Sequence, residues 1–217
     1  MKIKILIMIL WLSALFINTG CPTIITSPQT KPLDNPVTIQ TCGIYTHPQS
    51  SMEFPEIVGH FQRFEITRFD ESGLNVGVSY NLMNSSFQMA VMVYIYPGPR
   101  MSGPKTETAS AAHQMIITNM YEAEKSGIIE AHQGARLITD TEVILRQGEI
   151  KQKGMVAVFE YDGVFVLQQQ QLVSHLYLFN HNGWMIKYRF THPKNITAVT
   201  EEIDKFMQFL KWTAKRG

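Results

Sequence analysis

Alternation of apolar and polar positions is the clearest signal in this chain. Along 74–82, Leu74, Val76, Val78 and Tyr80 fall on one side of an extended backbone, and Asn75, Gly77, Ser79 and Asn81 on the other. FQRFEITRF (61–69) and FQMAVMVYIY (87–96) flank it as further strands, the first joined to it by the loop DESG. Pro97, Gly98, Pro99, Gly103 and Pro104 close the third strand. The period then changes: Ala109, Ala112, His113, Ile116, Met120 and Ala123 recur at helical spacing, broadened by Ile117 and Tyr121. This predicts a helix over 106–126, capped by Thr106 or Thr108 and stopped by Gly127. Strands return at 136–146 and 153–161 around the polar tip QGEIKQ.

The apolar content peaks in GMVAVFEYD, VFVLQQQQLVSHLYLFN and WMIKYRFTH, which read as a three-stranded meander within 154–192. Asp162-Gly163 and Asn182-Gly183 separate these runs, and such dipeptides suit the positive φ angles of tight hairpins. A second helix is predicted over 196–211, with Val199, Ile203, Phe206 and Leu210 as its apolar stripe. Asn195 or Thr197 serves as its cap, and Lys211, Lys215 and Arg216 favour its C-terminal dipole.

The order is βββ-α-ββββ-α: an α+β domain whose antiparallel sheet of about six to seven strands is covered by two helices, without a βαβ crossover pattern. Over residues 53–213 this element order resembles the PsbP-like fold. That fold is shared by the photosystem oxygen-evolving PsbP proteins, a family of Ran-binding proteins, and the DcrB family of bacterial envelope lipoproteins. The stretch FPEIVGHFQRFEITRFDESGLNVGVSYNL (54–82) also looks like the start of uncharacterised bacterial proteins of this type. The resemblance implies a fold and no function, because these families share only the fold.

Ahead of the domain, Lys2 and Lys4 precede the apolar run 5–17, as in a secretory signal peptide over 1–20. The run falls short of the about 20 residues that cross a membrane, although an uncleaved anchor is the competing reading. Gly20-Cys21 resembles the lipobox of bacterial lipoproteins, in which the cysteine thiol receives a diacylglyceryl group. Asn18 departs from the aliphatic residue expected three places before the cysteine. Cys21 is therefore the expected lipidation site, and a Cys21–Cys42 disulfide the alternative. With Cys21 acylated, Cys42 reads as a free thiol, possible as a small buried hydrophobe. Residues 21–52, with prolines at 22, 28, 32, 36 and 48, read as a flexible tether to a single domain over 53–217, with an edge strand at 37–45 left open.

Composition adds exclusions. The chain has 217 residues, 45% hydrophobic and 17% charged, which suits a globular core and not a disordered chain. Removing Lys2 and Lys4 with the signal takes the net charge from +1 to −1, so nucleic acid is not expected as a partner. Nucleophile-elbow, Walker, dinucleotide and zincin motifs do not occur. The seven histidines lack metal-like spacing; the best pair, His175 and His192, lies on adjacent strands with Glu160 as the nameable third group. The bland reading, separate satisfied or surface histidines, is preferred. Gln168–Gln171 reads as an exposed strand end, with a polar groove as its alternative.

No catalytic residue, metal or cofactor is expected. The expected protein is a non-enzymatic module on the bacterial envelope, anchored to a membrane through Cys21, facing the periplasm or exterior and serving an envelope protein partner. The alternative is a binder of a small apolar or amphipathic ligand, for which twelve Met and twelve Phe would supply an adaptable lining.

Overall fold

The structure, a computed structural model, describes residues 24–25, 30–83, 88–101 and 106–212. The signal segment and Cys21 lie outside these residues. Eight long strands and two helices follow one another: β1 (Pro32–Thr38), β2 (Phe61–Asp70), β3 (Val76–Met83), β4 (Gln88–Pro97), α1 (Glu107–Ala131), β5 (Arg136–Gln147), β6 (Ile150–Phe165), β7 (Gln168–His181), β8 (Trp184–Pro193) and α2 (Val199–Phe209). The strands form an antiparallel sheet in the order β5-β6-β7-β8-β4-β3-β2-β1. Ile57–Val58 pairs with β2 as its ninth member. The α+β class and the two helices match the sequence reading, and the sheet is wider than expected.

The extra width comes from the stretch read as tether. Pro32–Thr38 pairs with β2 as an edge strand, and Tyr45–Thr46 pairs with Glu53–Phe54. Proline lacks a backbone donor, and an edge strand leaves one side unpaired, so Pro32 and Pro36 are tolerated there. His47 and Met52 are buried, the His47 ring meeting Trp184 edge-on at 5.0 Å. From residue 32 the chain is therefore hydrogen-bonded along the sheet edge while remaining largely exposed, and it enters the core at His47.

Alternation gives the sheet two apolar faces, and one helix covers each. On the first, Val78, Tyr80, Val93, Tyr188 and Phe190 meet the α2 stripe Val199, Ile203, Phe206 and Leu210. Phe206 is central: its ring lies 4.9 Å from Phe61, 5.3 Å from Tyr80 and 5.5 Å from Phe190, each edge-on. On the second face, Phe159, Leu172, Leu176 and Leu178 pack against Ile117, Tyr121 and Ile128 of α1.

Three local expectations change. Helix α1 runs through Gly127 to Ala131, because stopping there would leave Ile128 off the sheet; its buried line is Ala109, Ile117, Tyr121, Lys125 and Ile128, rotated from the predicted stripe. Thr106 is its N-cap, accepting from Ala109 N at 3.1 Å. Helix α2 begins at Val199 behind a left-handed Ala198, without a side-chain cap from Asn195 or Thr197. And β6 runs through Asp162-Gly163, placing the hairpin turn at Val166-Leu167.

Gln147, at the end of β5, fastens α2. Its buried amide donates to the Met207 and Leu210 carbonyls, the latter at 2.9 Å, and accepts from Trp212 N at 2.9 Å. Replacing Gln147 with Leu leaves these helix-end groups unpaired, and urea unfolding should show a loss of roughly 3 kcal/mol. Unchanged stability would mean that water satisfies the end of α2 equally well.

Candidate functional site

The pairing of β6 with β7 extends beyond both neighbours. Strand β8 reaches β7 only as far as Leu172 opposite Pro193, and β5 reaches β6 only as far as Glu160 opposite Arg136. The pairs from Asp162–Gln171 to Phe165–Gln168 therefore form a two-stranded ribbon projecting about 13 Å past the sheet. Gln168, Gln169 and Gln171 are exposed on it, the strand end expected for the glutamine run.

The ribbon's tip carries the least expected side chains. Val166 and Leu167 form the two-residue turn with φ of +47° and +65°. Both central angles are positive, as in a type I′ turn, for which Asn-Gly is suited and a β-branched valine is strained. Leu167 is 96% exposed and Val164 67%. Gly163, expected to turn, is used for close packing: a Cβ there would lie 2.9 Å from Leu172 Cδ1. The tip lies at the sheet end of Pro193, Gln88 and Phe61, whereas β1 enters beside Asp70 at the opposite end.

The structure brings His175 and His192 together but not Glu160. The two Nε2 atoms are 3.1 Å apart and the rings stack at 5.3 Å. His192 Nδ1 lies 2.8 Å from the Pro193 carbonyl, which only accepts, so Nδ1 carries the hydrogen. Its Nε2 then accepts from His175 Nε2–H, and the pair is a neutral, satisfied unit. Glu160 instead binds Lys194 at 2.9 Å and Arg136 at 3.3 Å, and these cations hold its carboxyl below the usual range. No three His, Cys, Asp or Glu side chains are grouped to hold a metal among the described residues.

Charged groups do line the α1 side of the sheet, where sequence reasoning placed none. Glu124 of α1 accepts from Lys187 Nζ at 2.7 Å and from the Tyr96 hydroxyl at 3.0 Å. Burial lowers the Lys187 ammonium despite that partner, and lifts the Tyr96 phenol well above its ordinary value. Lys125 pairs with Asp140 of β5 at 2.5 Å, and Asp140 also accepts from Tyr121 at 2.8 Å. Lys187 and Arg189, two apart in WMIKYRFTH, were the available signal, since alternation puts both on one face.

On the opposite face, a groove of about 220 Å³ runs between the Gly59 turn and Phe209 of α2, less than an ordinary ligand cavity. Cys42 is exposed and its thiol free, in place of the buried position considered for it. No helix among the described residues is long and apolar enough to cross a membrane. The chain matches no protein-family model and no curated protein.

Burial, with His192 beside it, lowers His175 to about 4, and burial lowers His47 similarly. An unfolded histidine titrates near 6.5. Between pH about 6.5 and 4 the unfolded chain binds more protons, so stability falls as the pH drops through that window. His175→Gln, which can still donate to His192, should flatten urea-derived stability across this range by up to about 1.4 kcal/mol per pH unit. An unaltered slope would show that His175 takes up its proton equally in both states.

Proposed function

We propose that the chain is a bacterial envelope lipoprotein: a PsbP-like domain, lipid-anchored through Cys21, that docks an envelope protein partner without performing chemistry. The observation carrying this reading is the projecting ribbon. A valine held at positive φ costs about 1–3 kcal/mol in backbone strain, and the neighbouring leucine is bare to water. Neither feature serves the isolated fold; both make sense where a partner covers the tip. The ribbon also points away from the end at which the N-terminal segment joins, so an anchored domain presents its tip outward. The free thiol of Cys42 is consistent with an acylated Cys21. A second reading, binding of a small amphipathic ligand, is favoured by Arg189, which makes no ion pair among the described residues, beside a half-open part of the sheet.

Two experiments test the main reading. Mass spectrometry of membrane and soluble fractions should find a mature chain beginning at diacylated Cys21, with Cys21→Ser lost from the membrane. A soluble product bridged from Cys21 to Cys42 would remove the anchor. Changing Val166-Leu167 to Asn-Gly should raise stability by about 1–2 kcal/mol while abolishing envelope crosslinks from a photoreactive side chain at position 164. Crosslinks that survive the exchange would place docking elsewhere.

A further inference from the structure

Lys187, Arg189 and Thr191 stand on the α1 side of β8, and only Lys187 has an acidic partner. Arg189 makes no ion pair among the described residues. Its Nε donates to Ser174 Oγ at 3.2 Å, and its Nη2 to His132 Nε2 at 2.6 Å and to the Tyr161 hydroxyl at 3.4 Å. Ser174 and Tyr161 are buried, and the His132 ring stacks on Tyr161 at 3.9 Å. Each partner is neutral: His132 accepts at Nε2, and burial with the adjacent guanidinium lowers its pKa. A guanidinium does not shed its proton. A half-buried, positioned positive charge is thus left for an anion to neutralise.

What lies beside it is largely apolar, although Lys187 Nζ sits over one face of the Tyr94 ring, 3.9 Å from its centroid. Arg189 is opposite Met92 in the sheet, Lys187 opposite Tyr94, and Tyr94 opposite Gly77. A Cβ on Gly77 would come within 2.9 Å of the Phe69 ring and 3.3 Å of Met92 Sδ, so glycine is what lets Phe69 lie across the strand. Phe69 and Tyr94 have ring centroids 5.9 Å apart. The α1-side cluster takes residues from β6, β7 and β8 and reaches β4 at Tyr96; Phe69, Met92 and Tyr94 lie outside it and are half-buried.

We propose that this place binds a small amphipathic carboxylic acid, its carboxylate on Arg189 and its apolar body along the shelf of Met92, Tyr94 and Phe69. With Lys187 and Glu124 cancelling, the local balance calls for a single negative charge. Arg189 Nη1, to which no partner falls among the described residues, is left to donate to a carboxylate oxygen. The Tyr161 hydroxyl, which accepts from Arg189, still has its own hydrogen to donate. This inference deepens the second reading above and does not involve the ribbon.

The test titrates isotope-labelled protein with decanoate, acetate and decanol below their aggregation limits, following the Arg189 Nε–H and Met92 methyl resonances. Saturable shifts at both groups are expected, with decanoate at least tenfold tighter than acetate or decanol. Arg189→Gln should remove the advantage over decanol, and Met92→Asp should weaken decanoate at least tenfold. Absence of saturable binding, shifts centred elsewhere, or an unaltered affinity in Arg189→Gln would overturn the proposal. Should that variant fail to fold, the wild-type shift map and affinity ratios decide alone. The Asn-Gly ribbon variant should bind decanoate as the wild type does, so loss of docking and loss of ligand binding are separable.

Discussion

The seating of Phe206 in the sheet is the contact on which the rest of the fold depends. Strand β8 is more than 100 residues from the β2–β3 hairpin, yet Phe61, Tyr80 and Phe190 from these strands all converge on that one ring. Burial of an aromatic side chain contributes about 2–3 kcal/mol, and edge-on contacts add to that. A helix of 11 residues has little stability alone, so α2 exists because this face receives it. Gln147 and Trp212 then close the helix end: Trp212 donates its indole N–H to the Tyr188 hydroxyl at 2.6 Å, fixing the chain beyond α2 onto the same face.

The second helix contact is of another kind. Helix α2 meets an apolar and aromatic surface, whereas α1 brings Glu124 and Lys125 into contact with Lys187 and Asp140. Buried ion pairs offset their own desolvation at best, so these pairs orient α1 more than they hold it. Their effect is register: Glu124 over Lys187 and Lys125 over Asp140 fix where the 25-residue helix lies across β5 to β8. With its position fixed there, the helix stops short of Met92, and Tyr94 is covered by Lys187 and Phe69 instead. The open half of that face follows from having two helices for a sheet nine strands wide.

How much of this was legible in the chain follows from which signals are local. Alternation in β3 and β4 and the stripe of α2 depend on side-chain period alone, and the residues expected on the α2 stripe are the buried ones. Gly127 and Asp162-Gly163 misled for one reason: glycine has a conformational use and a packing use, and a sequence does not separate them. At Gly127 continuing the helix costs about 1 kcal/mol relative to alanine, less than the burial of Ile128 contributes. At Gly163 the constraint is the Leu172 side chain on the facing strand, a neighbour known only once register is known. Pro32 and Pro36 read as tether because their tolerance on an edge strand depends on where the edge falls. Of the site residues, His175 and His192 were placed on adjacent strands, but the preferred reading kept them separate. The structure corrects it: their rings stack because the tight Asn182-Gly183 turn makes them diagonal neighbours. The cluster around Arg189 was not legible, since His132 reaches it only because α1 continues past Gly127.

The ribbon tip is where local preference and observed structure disagree most, and the disagreement has a direction. An Asn-Gly turn is available to this chain, as Asn182-Gly183 shows at the β7–β8 connection, with φ of +52° and +78°. There the turn closes a hairpin whose strands are paired on their outer sides as well, and its residues suit it. At Val166-Leu167 the paired strands have no strand on their outer sides, and the turn's support is local: Gln170 Nε2 donates to the Phe165 carbonyl at 3.1 Å and Phe165 packs on the α1-side core. Neither contact relieves the positive φ of Val166 itself. On the docking proposed above, a partner that buried Val164 and Leu167 would return about 1.5–3 kcal/mol for each side chain fully removed from water. In that proposal Val166 weakens the free protein while Val164 and Leu167 strengthen the docked one, and that opposition would separate a binding tip from an ordinary hairpin.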